Sequence, residues 1–349
     1  MILAVESSCD ETAVAIVDEN ARIFLDFKYS QIPLHKEYGG VVPELASRSH
    51  FDVLTQLEKA ITSASVNIKD IRAIAATTGP GLVGPLLVGS NFALGLAKGW
   101  NKPFIGVHHL RGHIASSVMS AGFDPKLSIQ ERAEILFPTW VLLVSGGHCQ
   151  VLIAEKDLIC KTIKTTSDDA AGECFDKCAK MLGLDYPGGP LIEKYGLLCT
   201  SQQLRQASEW AAALPRPKSA EGFSFSGLKT AFRLLIESLP QENLTDFRPP
   251  LCRALEMAVS DSLLSVLKRA YEDHENPPQN LISCGGVSAN LFLRKQLENF
   301  CKSYNIKLYL VPLDLSTDNA VMIALAAYLQ SDALNLKQVF ARARLDTSL

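Results

Sequence analysis

Trp140-Val141-Leu142-Leu143-Val144-Ser145-Gly146-Gly147-His148-Cys149-Gln150-Val151-Leu152-Ile153-Ala154 joins two apolar runs through a Ser-Gly-Gly-His turn. A second turn at Glu155-Lys156-Asp157 leads into a third run over 158–163. The pattern predicts strand, tight turn, strand, turn, strand. The N-terminus has the same layout: Ile2-Leu3-Ala4-Val5, polar Glu6-Ser7-Ser8-Cys9-Asp10-Glu11-Thr12, Ala13-Val14-Ala15-Ile16-Val17, a turn at Asp18-Glu19-Asn20, and residues 23–27. This internal duplication predicts two similar α/β domains facing each other across a cleft.

A chain of 349 residues, 47% hydrophobic and 20% charged, is long enough for two domains with sizeable cores. The first residues carry no basic region and reach a charge at Glu6, so no signal or transit peptide is expected. The most apolar later run, 82–97, is broken by Gly84, Pro85, Ser90 and Asn91 and reads as a buried helix entry. No membrane role is expected. The nine cysteines form no C-x-x-C pair, which argues against a disulfide framework or a thiolate zinc site and fits a reducing cytoplasm. A net charge of −3 means that any nucleic-acid contact needs a local basic patch or a partner's.

Val107-His108-His109-Leu110-Arg111-Gly112-His113 follows an expected strand ending near His108. On a helix, His109 and His113 share a face at metal-ligand spacing; they read as two ligands or as two surface histidines at a helix start. Zinc peptidases place a glutamate after the first histidine, and Leu110 stands there instead. In Leu315-Ser316-Thr317-Asp318-Asn319-Ala320, Ser316 or Thr317 is expected to cap the next helix. Asp318 then serves the helix dipole or becomes a third ligand, giving an open site of two histidines and one carboxylate.

Other segments are dense in turn chemistry. Residues 35–44 precede a helix from Leu45, and Ala46-Ser47-Arg48-Ser49-His50 is too polar to be wholly core. Thr77-Thr78-Gly79-Pro80-Gly81-Leu82-Val83-Gly84 opens a helix after the strand 71–76. Asp168 and Asp169 are expected in the first turn of a helix, with Asp176 two turns in, beyond the reach of capping. A rigid loop follows at Leu184-Asp185-Tyr186-Pro187-Gly188-Gly189-Pro190. Residues 223–230 read as a strand and turn with a solvated Lys229, and 205–220 and 238–250 as surface connections. Leu281-Ile282-Ser283-Cys284-Gly285-Gly286-Val287-Ser288-Ala289-Asn290 is a strand running into a Gly-Gly turn and a new helix.

The two hairpins and the late Gly-Gly turn, in this order, resemble the actin, sugar kinase and heat-shock ATPase superfamily. Gly146 and Gly147 suit its use of a turn around a nucleotide phosphate, since glycine lets backbone N–H groups approach an anion. The match narrows with Glu6-Ser7-Ser8-Cys9-Asp10-Glu11-Thr12, residues 38–44, Ala46-Ser47-Arg48, residues 79–84, His108-His109 with Gly112-His113, residues 143–148, 168–177, 186–190, 225–230 and 285–290, and Thr317-Asp318-Asn319. Across nearly the whole chain these blocks resemble the tRNA adenosine threonylcarbamoyltransferases in their bacterial and mitochondrial form.

That resemblance implies two duplicated actin-like ATPase domains, placed at 1–113 plus 312–349 and at 114–311. It implies one divalent metal, Fe2+ or alternatively Zn2+, on His109, His113 and Asp318. It implies adenylate contacts at Leu143, Val144, Ser145, Gly146, Gly147, Asp176, Gly189 and Asn290. The substrates would be threonylcarbamoyl-AMP and the exocyclic amine of the adenosine next to the anticodon in tRNAs reading codons that begin with A. Asp10 or Glu11 is the candidate to take the amine proton. Protein partners are expected, either an inactive paralogue with a small ATPase or a second copy of the chain. The sequence departs from the family at Arg111, usually Glu, and at Ser7, usually Thr. A metallopeptidase, a plain sugar kinase or ATPase, and a non-catalytic metal- and nucleotide-binding subunit are the alternatives.

Overall fold

The structure is a computed structural model that describes residues 1–216, 222–240, 242 and 244–330. It divides into two compact units, each with its own sheet. The first contains residues 1–138, 154–161 and, among the described residues, 311–330; the second contains 139–153 and 162–310. The part of the expected first domain at 331–349 lies outside the described residues.

In the first unit β1 (Ile2–Glu6), β2 (Glu11–Val17) and β3 (Ile23–Ser30) form an antiparallel meander. A short α1 (Ile32–His35) leads to α2 (Pro43–Ser63), which Pro43 opens from its first turn. Then come β4 (Ala73–Gly79), α3 (Val83–Gly99), β5 (Phe104–His108), α4 (His109–Ala115) and α5 (Ile129–Leu136). The sheet order is β3-β2-β1-β4-β5, with β4 parallel to both β1 and β5. All five residues of β1 are buried, as its central place requires. At the edge, β3 alternates toward solvent and carries Asp26 and Lys28, charges that discourage pairing with another chain.

The second unit repeats the plan. β6 (Thr139–Val144), β7 (Cys149–Ala154) and β8 (Cys160–Thr166) precede α6 (Ala171–Met181), α7 (Gly188–Gly196) and α8 (Ser201–Ala213). A two-residue β9 (Gly222–Phe223), α9 (Ser226–Glu237), α10 (Leu244–Glu272), β10 (Asn280–Cys284), α11 (Leu291–Tyr304) and β11 (Lys307–Leu310) complete it. The order β11-β10-β6-β7-β8-β9 matches the first sheet strand for strand, with β9 added at one edge. The duplication expected from the two hairpins is therefore present in the topology.

Two expectations are corrected. Residues 205–213 belong to α8, and those from Leu244 onward to α10, whose Leu251, Leu255, Val259 and Leu263 are core residues. Only 214–216, 238–240 and 242 keep a connecting character; 217–220, 241 and 243 lie outside the described residues. Pro249 and Pro250 near the start of α10 mask its periodicity. Residues 226–230 are likewise helical, as the start of α9.

The last element among the described residues, α12 (Ala320–Leu329), returns to the first unit and packs against β1, β2 and α4. It is apolar on every side, as a helix enclosed by core must be. Gly112 allows α4 to come close: a Cβ there would sit 3.0 Å from Ile323 Cδ1 and 3.1 Å from Met322 Cγ. This packing holds the start of α12 beside the histidines of α4. Ile323→Ala, which opens a cavity in this contact, is expected to lower stability by about 3 kcal/mol, read from the shift in urea midpoint.

Candidate metal centre and glycine loops

His109 is the first residue of α4 and His113 lies one turn later, so both rings project from one face, 4.9 Å apart between centroids. The carboxylate that meets them is Asp318. The cap of α12 is Asn319, whose side chain accepts from Met322 N at 2.9 Å. Neither Ser316 nor Thr317 caps as expected: Ser316 Oγ donates to Pro312 O, and Thr317 Oγ1 accepts from Lys28 Nζ. Relieved of capping, Asp318 Oδ1 lies 3.1 Å from His113 Nε2 and 3.5 Å from His109 Nε2. One donor atom from each of the three residues lies within 4.8 Å of the others. Two imidazole nitrogens and a carboxylate oxygen make a donor set that suits Zn2+ or Fe2+.

Charge on this group is tightly linked. Burial opposes a charged His109, but the Asp318 and Glu6 carboxylates outweigh it and push the ring up to about 9. Burial would likewise raise Asp318, and the His109 and His113 rings instead hold it well below the usual carboxylate range. Behind His109, Glu6 is fully buried at the end of β1. Its partners Thr77 and His109 lie far along the chain, so no local pattern marks it as functional.

Asp10 is buried in the β1–β2 loop, and Glu11 begins β2. Burial first, then Asp10 and Asp318, push Glu11 up to about 10, so it is protonated at neutral pH. The loop is anchored from α2: His50 Nε2 donates to Cys9 O at 3.0 Å and its Nδ1 accepts from Thr12 Oγ1 at 2.6 Å. A carbonyl only accepts, which fixes this tautomer. Ala46 and His50 are fully buried while Arg48 is exposed, so the stretch 46–50 is only partly core, as its polarity predicts.

In the second unit the turn after β6 closes through Ser145 N to His148 O and His148 N to Ser145 Oγ, bonds that do not use the exposed Gly146 and Gly147 N–H groups. Gly172 N and Glu173 N at the start of α6 donate to the carbonyls of Ser145 and Gly146. A Cβ on Gly172 would lie 2.7 Å from Gly146 Cα, and one on Gly285 only 2.4 Å from Val144 O, so both glycines are needed for close packing around this turn. The side chains of Leu143 and Val144 are fully buried, leaving only their backbone to face a ligand. Asp176 Oδ1 accepts from Gly188 N at 2.7 Å, at the start of α7, beside Gly189. Asn290 caps α11 through Leu293 N and donates to Glu256 Oε1 at 2.8 Å.

Asp168 and Asp169 do not cap α6, which begins after Ala170. Asp168 accepts from Ser224 Oγ, Ser226 Oγ and Phe225 N, while Asp169 pairs with Lys177 at 2.9 Å and Lys229 at 2.7 Å. Lys229 is therefore tied down and not simply solvated.

The two matching sheets define a protein of the actin-like ATPase fold. Solved structures agree: component A of the Acidaminococcus fermentans (R)-2-hydroxyglutaryl-CoA dehydratase superposes with a TM-score of 0.51 at 12% identity, covering 95% of this chain and 98% of that one. HypF of T. kodakarensis gives 0.54 at 13%, covering 96% of this chain and 48% of that one. Within that class, the family model for tRNA N6-adenosine threonylcarbamoyltransferase matches residues 22–325. The chain shares 42% identity over 328 residues with the Kosmotoga olearia tRNA N6-adenosine threonylcarbamoyltransferase, covering 94% of this chain and 92% of the relative. The Brucella suis protein of the same name is 40% identical over 343 residues, covering 93% and 88%. The chain belongs to the tRNA N6-adenosine threonylcarbamoyltransferase family and is an acyltransferase.

In protein kept free of divalent cations, the raised His109 makes folding take up a proton. Its contribution to stability is full below pH 6.5 and is lost as pH rises through about 9. Chemical denaturation across that range is expected to show a loss of up to about 3 kcal/mol, absent in His109→Gln.

Proposed function

We propose that the chain transfers the threonylcarbamoyl group from threonylcarbamoyl-AMP to N6 of the adenosine next to the anticodon, in tRNAs reading codons that begin with A, in the cytoplasm. Beyond family membership, the observation that carries this reading is the convergence of His109, His113 and Asp318. Those three residues would hold a divalent cation, Fe2+ or alternatively Zn2+. When bound, the cation supplies Lewis-acid polarisation of the threonylcarbamoyl oxygens.

The chain's own groups account for the rest. Gly146 and Gly147 offer backbone donors to the adenylate phosphate, where charge builds as the mixed anhydride breaks. Ser145, Asp176, Gly189, Asn290 and the backbone of Leu143 and Val144 are the further adenylate contacts. Asp176 and Asn290 each already hold a helix start, so they would present the ligand with a rigid wall. The adenosine amine is a weak nucleophile, and its proton needs an acceptor. Asp10, buried in the loop after β1, is the residue assigned to that step. The chain's charge of −3 supports a reading in which a partner shares the tRNA-binding surface, either an inactive paralogue with a small ATPase or a second copy. Phe51 on α2 and Leu87 on α3, 68% and 46% exposed, are apolar positions available for such an interface.

Nucleosides digested from tRNA incubated with threonine, bicarbonate, ATP, an adenylate-forming enzyme and this protein, with and without partner proteins, are expected to contain threonylcarbamoyladenosine. No product in any combination overturns the proposal. Asp10→Asn is expected to lower turnover by about 100-fold or more with the adenylate Kd unchanged; unaltered turnover removes Asp10 from the mechanism. Since a cation must displace the His109 proton, Zn2+ affinity is expected to weaken about tenfold per pH unit below 9, measured by competition titration.

A further inference from the structure

We infer that Glu6 is a positioning residue that fixes the tautomer of His109 and so prepares its Nε2 to bind a cation, an inference that rests on the metal reading above. Glu6 ends β1 with its side chain wholly removed from solvent. Among the described residues no Lys or Arg pairs with it; its ionic neighbour is His109. A buried carboxylate paired with an imidazole and with no Lys or Arg still costs stability that an apolar residue would not. Its retention in the centre of the sheet therefore calls for a role.

The hydrogen bonds supply one. Glu6 Oε1 accepts from Ser8 N at 2.6 Å, and Oε2 accepts from the Thr77 hydroxyl on β4. With both oxygens accepting, the carboxylate has no O–H to offer, and its Oε2 lies 3.4 Å from His109 Nδ1. The proton between them must sit on Nδ1. Ser8 Oγ, 3.1 Å from the same nitrogen, then also accepts, which leaves Ser8 without a base to activate it. A neutral His109 with Nδ1–H has its lone pair on Nε2, the nitrogen turned toward Asp318. Metal-binding histidines commonly donate their second N–H to a carboxylate in this way, which orients the ring and makes it a better ligand. The same carboxylate grips Ser8 N, so it ties the His109 ring to the loop that carries Asp10.

Glu6→Gln tests the inference. An amide fills the same volume but has one acceptor and one donor group. If its oxygen keeps the Ser8 N–H, its NH2 faces Nδ1 and drives the ring proton onto Nε2. The folded variant, checked by circular dichroism, is expected to bind Zn2+ about 10- to 100-fold more weakly at fixed pH, with Glu6→Asp recovering part of the loss and the adenylate Kd unchanged. Long-range 1H–15N spectra of 15N-histidine protein, taken metal-free where the ring is neutral, are expected to show the His109 proton on Nδ1 in the native chain. Zn2+ affinity within twofold of native in Glu6→Gln, or a native proton on Nε2, overturns the inference. If Glu6→Gln does not fold, the native spectrum alone decides. A native chain that shows Nδ1–H but binds no divalent cation refutes the metal reading and leaves the Glu6–His109 pairing standing.

Discussion

A single carboxylate held between two imidazoles organises the first unit. Asp318 reaches His109 and His113 only because Asn319 has taken over the capping of α12 and because α12 is pressed into the core beside α4. Burial alone would discharge both Asp318 and His109. Their mutual attraction favours the charged forms of both, in a region where dielectric screening is weak. Gly112 supports the arrangement from a distance by removing the Cβ that would hold the two helices apart.

The two units show one topology put to two chemical uses. In both, a central first strand is flanked by its hairpin on one side and by parallel strands on the other. The loop after β1 is crowded with hydroxyls and carboxylates, fixed by His50 and Glu6. The loop after β6 is stripped to Ser145-Gly146-Gly147 and packed from behind by Gly172, leaving backbone donors in place of side chains. The first suits proton and cation chemistry, and the second suits an anion.

Much of this was legible from order and spacing alone. The hairpins announced themselves through alternation and turn residues, and the histidine pair through its four-residue interval on a helix following a strand. What stayed hidden depends on contacts between distant positions. Glu6 looked like the first polar residue of a loop, yet it is the buried end of β1, with partners at Thr77 and His109. His50 carries no local mark of its role, since its partners Cys9 and Thr12 lie about forty residues away. Asp168 and Asp169 satisfied every local rule for a helix start, but Ser224, Ser226, Lys177 and Lys229 had a stronger claim on them. Local propensity describes an isolated segment, and at these positions tertiary partners override it.

The pairing of Asn290 with Glu256 has a consequence for how this sequence can drift. The amide oxygen accepts from Leu293 N and the amide nitrogen donates to Glu256 Oε1, while Glu256 Oε2 faces Arg253 at 2.9 Å. Burial pushes the Glu256 carboxyl up to about 7, against the pull of Asn290 and Arg253. Aspartate at 290 would set two acceptors against each other, and an apolar residue at 256 would strand both a guanidinium and an amide in the interior. Positions 253, 256 and 290 are thus coupled, so that a change at one alters what the other two require.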